Sequence, residues 1–199
     1  MDTERHHRHL QVNTVGVAAE ETGTITPRTR TRDLRSLSAP AVDIAQNYSA
    51  SLANKDIAVD EVEEYTQNFY ILFKEKSTGI GAFEMLIDKY TGAIYPEMGP
   101  NMMWNTKYGM MSGSMMGWVA GTQTGPMTVT VEQAKTNAQQ FLTANYPGTT
   151  VGSIDTFYGY YHIDVISAGT TYGMLSVNGY TGQVWYHTWH GTFIQGAEL

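Results

Sequence analysis

The chain contains no cysteine. That excludes a disulfide framework, a zinc–thiolate site and a cysteine nucleophile, and it leaves methionine and histidine as the soft metal ligands. Charge is also scarce: Asp, Glu, Lys and Arg make up 16% of the 199 residues, below the usual quarter. No run of 18 apolar residues occurs, so nothing reads as a membrane-spanning helix. The opening MDTERHHRHLQVNTVGVAAEE lacks the apolar centre of a signal peptide. A basic patch is missing as well. All six Arg lie within residues 1–35, against five acids, for a net +1; residues 36–199 carry six Lys against fourteen acids, for a net −8. An acidic body of this kind argues against nucleic-acid binding.

What the chain does have is Tyr (13), Gly (20) and Met (11), within a 42% hydrophobic composition that allows a real core. A Tyr- and Gly-rich, charge-poor, cysteine-free chain leans toward a β-rich protein outside the cytoplasm. Residues 1–37 read as an irregular arm, since TGTITPRTRTRDLRS shows neither helical nor strand period. His6, His7 and His9 in that arm are read as part of a solvated tail.

The body repeats itself. FEMLIDKYTGAIY (83–95) and GMLSVNGYTGQVWY (173–186) superpose at a shift of 90, matching Asp88 with Asn178, Tyr90 with Tyr180, Thr91 with Thr181 and Gly92 with Gly182. Upstream, Phe69, Ile71 and Phe73 match Tyr161, Ile163 and Val165 at a shift of 92. Both sets alternate with period two, the mark of half-buried strands. Each half opens with a helix signal. Pro40 stands in the first turn of one, with Ile44, Ala45, Tyr48 and Leu52 on one face. Thr130 stands as N-cap of the other, followed by the stripe Val131, Ala134, Ala138, Phe141 and Leu142 and stopped at Asn145-Tyr146-Pro147-Gly148. Each half therefore reads helix, strand, hairpin, strand, tight turn, strand. The expected fold class is α+β: two related modules, each a helix packed on a small antiparallel sheet. The expected bounds are 38–97 and 128–199, with a Met/Trp-rich linker over 98–127.

The pattern of a helix, an alternating Y-x-I/V-x-V strand and a strand ending in D-x-x-T-G-x-V resembles the PepSY domain. The resemblance runs through Phe69–Phe73 with Ile87, Asp88, Thr91, Gly92 and Ile94, and again through Tyr161–Val165 with Val177, Asn178, Thr181, Gly182 and Val184. Asn178 departs from the usual Asp. It implies a secreted or periplasmic tandem-repeat protein with binding or inhibitory rather than enzymatic activity. A peptidase-inhibitor or chaperone-like role is the weaker implication.

Three stretches could carry chemistry. The linker holds Met102, Met103, Met110, Met111, Met115 and Met116, with Trp104 and Trp118 beside them. Thioether sulfur is soft and suits Cu(I), and an indole face adds a cation–π contact. The same methionines also suit an adaptable interface with a protein partner or a second copy. The segment WYHTWHG (185–191) holds His187 and His190 at i, i+3. On a continuous strand they would face opposite sides, but a turn near His187 would let them converge as copper ligands. The blander expectation is two histidines at a solvent edge, with Tyr186 and Trp189 as binding anchors. His162 and Asp164 share a strand face and, with Tyr160, read as a polar surface patch. DEVEEY (60–65) reads as a solvated connector. No G-x-S-x-G elbow and no H-E-x-x-H motif occurs, so an enzyme is not expected. The leading expectation is a non-enzymatic binding or assembly module; copper binding is the alternative.

Overall fold

The computed structural model describes residues 39–109 and 125–199. The irregular arm expected over residues 1–37 lies outside the described residues. The fold is α+β, built on two antiparallel sheets. Helix α1 (Ala39–Ser51) precedes β1 (Ile57–Tyr65), β2 (Asn68–Glu75), β3 (Gly81–Asp88) and the short β4 (Ile94–Pro96). A single helical turn, α2 (Pro100–Met103), follows. Helix α3 (Val131–Asn145) then leads into β5 (Thr149–Thr156), β6 (Tyr160–Ser167), β7 (Thr170–Asn178) and the short β8 (Val184–Tyr186), and β9 (Phe193–Glu198) closes the chain. The strand orders are β4-β3-β2-β1-β9 and β5-β6-β7-β8. Four strands thus repeat in the same order, and β9 crosses back to complete the first sheet against β1.

Local chemistry explains these elements. Thr130 caps α3 in a reciprocal capping box: its hydroxyl accepts from the Gln133 amide at 3.2 Å, and the Gln133 side chain accepts from the Thr130 amide at 2.8 Å. The helices meet their sheets through small residues, Ala41 and Ala45 on α1 and Ala134 and Ala138 on α3, which allow close approach. Val131, expected in the apolar stripe, is instead exposed at the first turn. The two tight turns are built alike. The Asp88 carboxylate accepts from the amides of Tyr90 and Thr91 at 3.0 and 2.8 Å, and the Asn178 amide oxygen accepts from Tyr180 and Thr181 at 2.9 and 3.0 Å. Only an acceptor is needed there, so Asn replaces Asp without changing the turn. Gly92 and Gly182 take the positive φ (71° and 73°) that closes each turn.

Phe69, Ile71 and Phe73 face α1, while Tyr161, Ile163 and Val165 face α3. The opposite faces of the two sheets meet one another. Tyr65, Tyr70, Leu72 and Leu86 pack there with Phe157, Tyr160 and Met174. The layers run helix, sheet, sheet, helix, with a seam between the sheets.

Two further sequence expectations are corrected here, and one strand is added. The run 60–65 is no solvated connector: it belongs to β1, and Glu63 and Tyr65 are buried in the seam. Strand β5 was not anticipated, because TTVGSIDT lacks an uninterrupted alternation. The patch of Tyr160, His162 and Asp164 is not at the surface, because the first sheet covers that face and leaves His162 2% exposed. Among the described residues, no helix is long and apolar enough to cross a membrane.

Candidate metal centre

Glu97 follows β4 directly. Its amide donates to the Glu84 carbonyl at 3.0 Å, which prolongs the ladder by one residue. The Asn101 side chain donates to the carbonyls of both Glu84 and Glu97 and accepts from the Glu84 amide, pinning the backbone on which Glu97 sits. His187 follows β8 in the same way, its amide donating to the Met174 carbonyl at 3.0 Å. The repeat shift of 90 superposes Glu97 on His187 and Glu84 on Met174. His190 lies in the turn before β9, where its carbonyl accepts from Gln67 at 3.1 Å. Gly191 makes that turn possible: its φ is 80°, and a Cβ there would come within 2.2 Å of the Thr66 hydroxyl.

These backbones bring three side chains together inside the seam. His187 Nδ1 lies 3.2 Å and His190 Nε2 2.8 Å from Glu97 Oε1. One ligand atom from each residue lies within 4.8 Å of the other two, and all three residues are buried. The contacts are close but misaligned for hydrogen bonding. Glu97 Oε2, His187 Nδ1 and His190 Nε2 have no hydrogen-bond partner among the described residues. Unpartnered polar atoms at such depth are costly and call for a partner.

The outer sides of the rings are held. Asn68 Nδ2 donates to the Trp189 carbonyl at 3.0 Å, which sets its amide so that Oδ1 faces His190 Nδ1 at 2.9 Å. An acceptor there requires the proton on Nδ1 and leaves Nε2 as the nitrogen turned toward the Glu97 carboxylate. Ser176 Oγ lies 3.0 Å from His187 Nε2. Trp189 stacks on His187 at 4.7 Å between centroids, and its Nε1–H donates to Glu97 Oε1 at 2.9 Å. Burial alone would raise the Glu97 carboxyl; the facing His187 and His190 rings outweigh it and hold the group below the ordinary carboxylate range.

This donor set fits a transition-metal ion. Nitrogen and oxygen ligands about 2.1 Å from a tetrahedral ion stand about 3.4 Å apart, a few tenths of an ångström beyond the contacts here. Each imidazole already has the outer hydrogen bond that orients metal-bound histidine.

A second polar group lies deeper in the seam. Tyr70 and Tyr160 donate to Glu84 at 2.7 and 2.6 Å, and His162 Nδ1 sits 2.8 Å from the same carboxylate. Burial disfavours the His162 cation, yet Asp164 and Glu84 outweigh it and raise the ring well above its ordinary value. Beside it, Glu61 is pushed up to about 8, by burial and then by Asp164.

The structure brings His187 and His190, expected as a pair, to one place. They are not at a solvent edge, being 3% and 2% exposed. Strand β8 ends at Tyr186, and the turn that follows lets positions i and i+3 converge. The third group of the cluster is Glu97. Met102 instead lines a cavity of about 200 Å³ beside Tyr48, Leu52 and Phe83 on the α1 side of the first sheet. Met103 is about half exposed. Met110, Met111, Met115, Met116 and Trp118 lie outside the described residues. The expected aromatic anchors are largely engaged within the fold. Trp104 meets Trp185 edge-on, Tyr186 stacks on Tyr146 at 4.2 Å, and Trp189 covers His187. Glu97, Asn68 and Ser176 were missed. The one signal for Glu97 was its position 90 residues before His187.

No family model and no curated protein matches the sequence. One solved structure similar to the chain is the Bacillus megaterium YpeB C-terminal domain, at 9% identity and a TM-score of 0.28, over 72% of this chain and 58% of that one. At that score the likeness carries no argument about function.

Proposed function

We propose that this chain is a non-enzymatic metal-binding module that holds one transition-metal ion between Glu97, His187 and His190. The observation that carries the reading is the convergence of Glu97, His187 and His190 in a buried place, with Glu97 Oε2, His187 Nδ1 and His190 Nε2 left without a hydrogen-bond partner among the described residues. Two imidazoles and a carboxylate suit Cu(II) or Zn(II), with copper ahead on intrinsic affinity, and are a poor match for Cu(I), which prefers sulfur. The paired Asp/Asn-x-Tyr-Thr-Gly turns support a tandem PepSY-like lineage, and the cysteine-free, charge-poor composition supports a place outside the cytoplasm.

Titration of the full chain with Zn(II) and Cu(II) tests the reading by calorimetry. One equivalent is expected to bind, with the copper complex showing two imidazole nitrogens by electron paramagnetic resonance. Glu97→Ala, His187→Ala and His190→Ala should each abolish the stoichiometric step. Absence of stoichiometric binding in the parent chain would sink the proposal.

A second reading, contact with a protein partner or another copy, is supported by the exposure of Tyr90 (95%) and Met98 (66%). Light scattering that finds a strict monomer at high concentration would remove the self-association version.

A further inference from the structure

The two sheets do not merely face each other; residues that are counterparts in the repeat touch across the seam. Glu97 meets His187, its counterpart at shift 90. Gly99 meets Trp189, also at shift 90, and a Cβ on Gly99 would lie 3.3 Å from that indole. Tyr70 stacks on His162, its counterpart at shift 92, with ring centroids 5.3 Å apart and planes within 15°. Three pairs of counterpart residues thus meet across the seam, and one of them, Glu97 with His187, belongs to the Glu97–His187–His190 cluster.

The seam is an unusual interface. Its apolar part is the single cluster around Tyr70, Leu72, Phe157, Tyr160 and Met174. Around that cluster lie the buried carboxylates Glu63, Glu84 and Glu97 and the half-buried Glu61 and Asp164, with His162 on the cationic side. An ion bonded to groups on both sides of the seam favours its closure. Glu97 comes from the first half of the chain and both histidines from the second, so an ion held by all three bonds across the seam. With all three ligand residues at most 3% exposed and Glu97 Oε2 free to join Oε1, the donors can saturate a four-coordinate ion with no open position.

We infer that the Glu97–His187–His190 cluster is a latch, in which a divalent transition ion held by residues of both halves locks them together and its release loosens the seam. The inference rests on the metal-binding reading proposed above. It adds that the ion controls a conformational equilibrium rather than serving as a catalytic centre: the closed form binds the ion and the loosened form does not, so the ion shifts the population toward closure.

The absence of cysteine allows a direct test on the full chain. Leu72→Cys places one thiol in the seam, where Leu72 is fully buried, and Leu142→Cys places one under α3, outside the seam. Alkylation rates are compared with and without one equivalent of Zn(II), with binding followed separately by calorimetry. The expected result is at least a tenfold slowing at position 72 and none at 142, and Glu97→Gln in the Leu72→Cys background should erase the slowing. Because a new thiol can itself perturb folding, hydrogen exchange of the unsubstituted chain is measured in parallel. The amides of Gln67 and His187, which bond at the seam, should exchange more slowly with zinc. Stoichiometric zinc binding with unchanged exchange and labelling would overturn the latch while leaving the metal site standing. No zinc or copper binding at all would overturn both.

Discussion

Glu97 and His187 are the same residue of the fold used twice. Each follows the last short strand of its sheet, each donates its amide to the facing strand at 3.0 Å, and their side chains meet 3.2 Å apart. The duplication thus carries the same backbone to the seam from both sides, and divergence at one position makes a carboxylate face an imidazole.

That equivalence predicts an uneven response to exchange of the ligands. Glu97→His presents a third imidazole from the same backbone position and should keep zinc affinity within about tenfold of the parent, since three histidines are an accepted zinc set. His187→Glu sets a second carboxylate against Glu97 in a dry place and should destabilise the fold by about 3 kcal/mol or more without metal. Calorimetric titration and urea unfolding of both variants check the pair.

Asn68 is a positioning residue for His190. Asn68→Ala removes the acceptor that holds the Nδ1 proton and should weaken metal binding by about 10–100-fold. Asn68→Asp keeps an acceptor in place and should recover most of that loss. Equal affinities for Asn68→Ala and the parent chain would contradict the assignment, and the Nε2 coordination of His190 is checked by nitrogen NMR.

Stability should depend on pH in two opposite senses. Glu75 accepts from Lys107, Tyr108, Tyr158 and Thr78, and these outweigh burial to bring it down to about 2 from 4.5. The folded state then binds fewer protons than the unfolded chain between those values, so this contribution is present above pH 4.5 and is lost as pH falls toward 2. Glu75→Gln should flatten the acid limb of the urea midpoint.

Glu61 behaves in reverse. Raised to about 8 by burial and by Asp164, it binds more protons folded than unfolded from pH 4.5 upward, so its contribution is complete below 4.5 and is lost as pH rises through 8. Glu61→Gln should remove that alkaline slope. A slope unchanged in the variant would show that another group carries it.

Gly159, which joins β5 to β6, has φ of 101°, and a Cβ there would come within 2.2 Å of the Trp104 carbonyl oxygen. Gly159→Ala combines backbone strain with a backbone clash and should cost about 1–3 kcal/mol or more. It should also detach residues 104–106, whose Thr106 amide donates to the Tyr158 carbonyl at 2.9 Å. Denaturant midpoints and Trp104 fluorescence read the two effects.

Much of the fold was legible because it is written in local terms. Period-two alternation marked β2, β3, β6 and β7, a capping residue marked α3, and the repeated Y-T-G turns marked the duplication. Strand β1 was misread because its charged residues look solvated; they face a second sheet that no local pattern announces. Strand β9 was missed for a related reason. Its partner β1 lies some 130 residues away, as Glu64 pairing with Gln195 shows.

The candidate site was half legible. Two histidines at i, i+3 near a strand end are visible in the sequence, whereas a lone glutamate after Tyr-Pro is not. The amino-acid sequence by itself determined two helix-on-sheet units and their turns, because hydrophobic period and capping act within about a dozen residues. The tertiary structure alone decided that the outward faces of both sheets would become an interior. Only that packing buries Glu97, His187 and His190 against one another, because burial and proximity across ninety residues are properties of the closed seam and not of any segment within it.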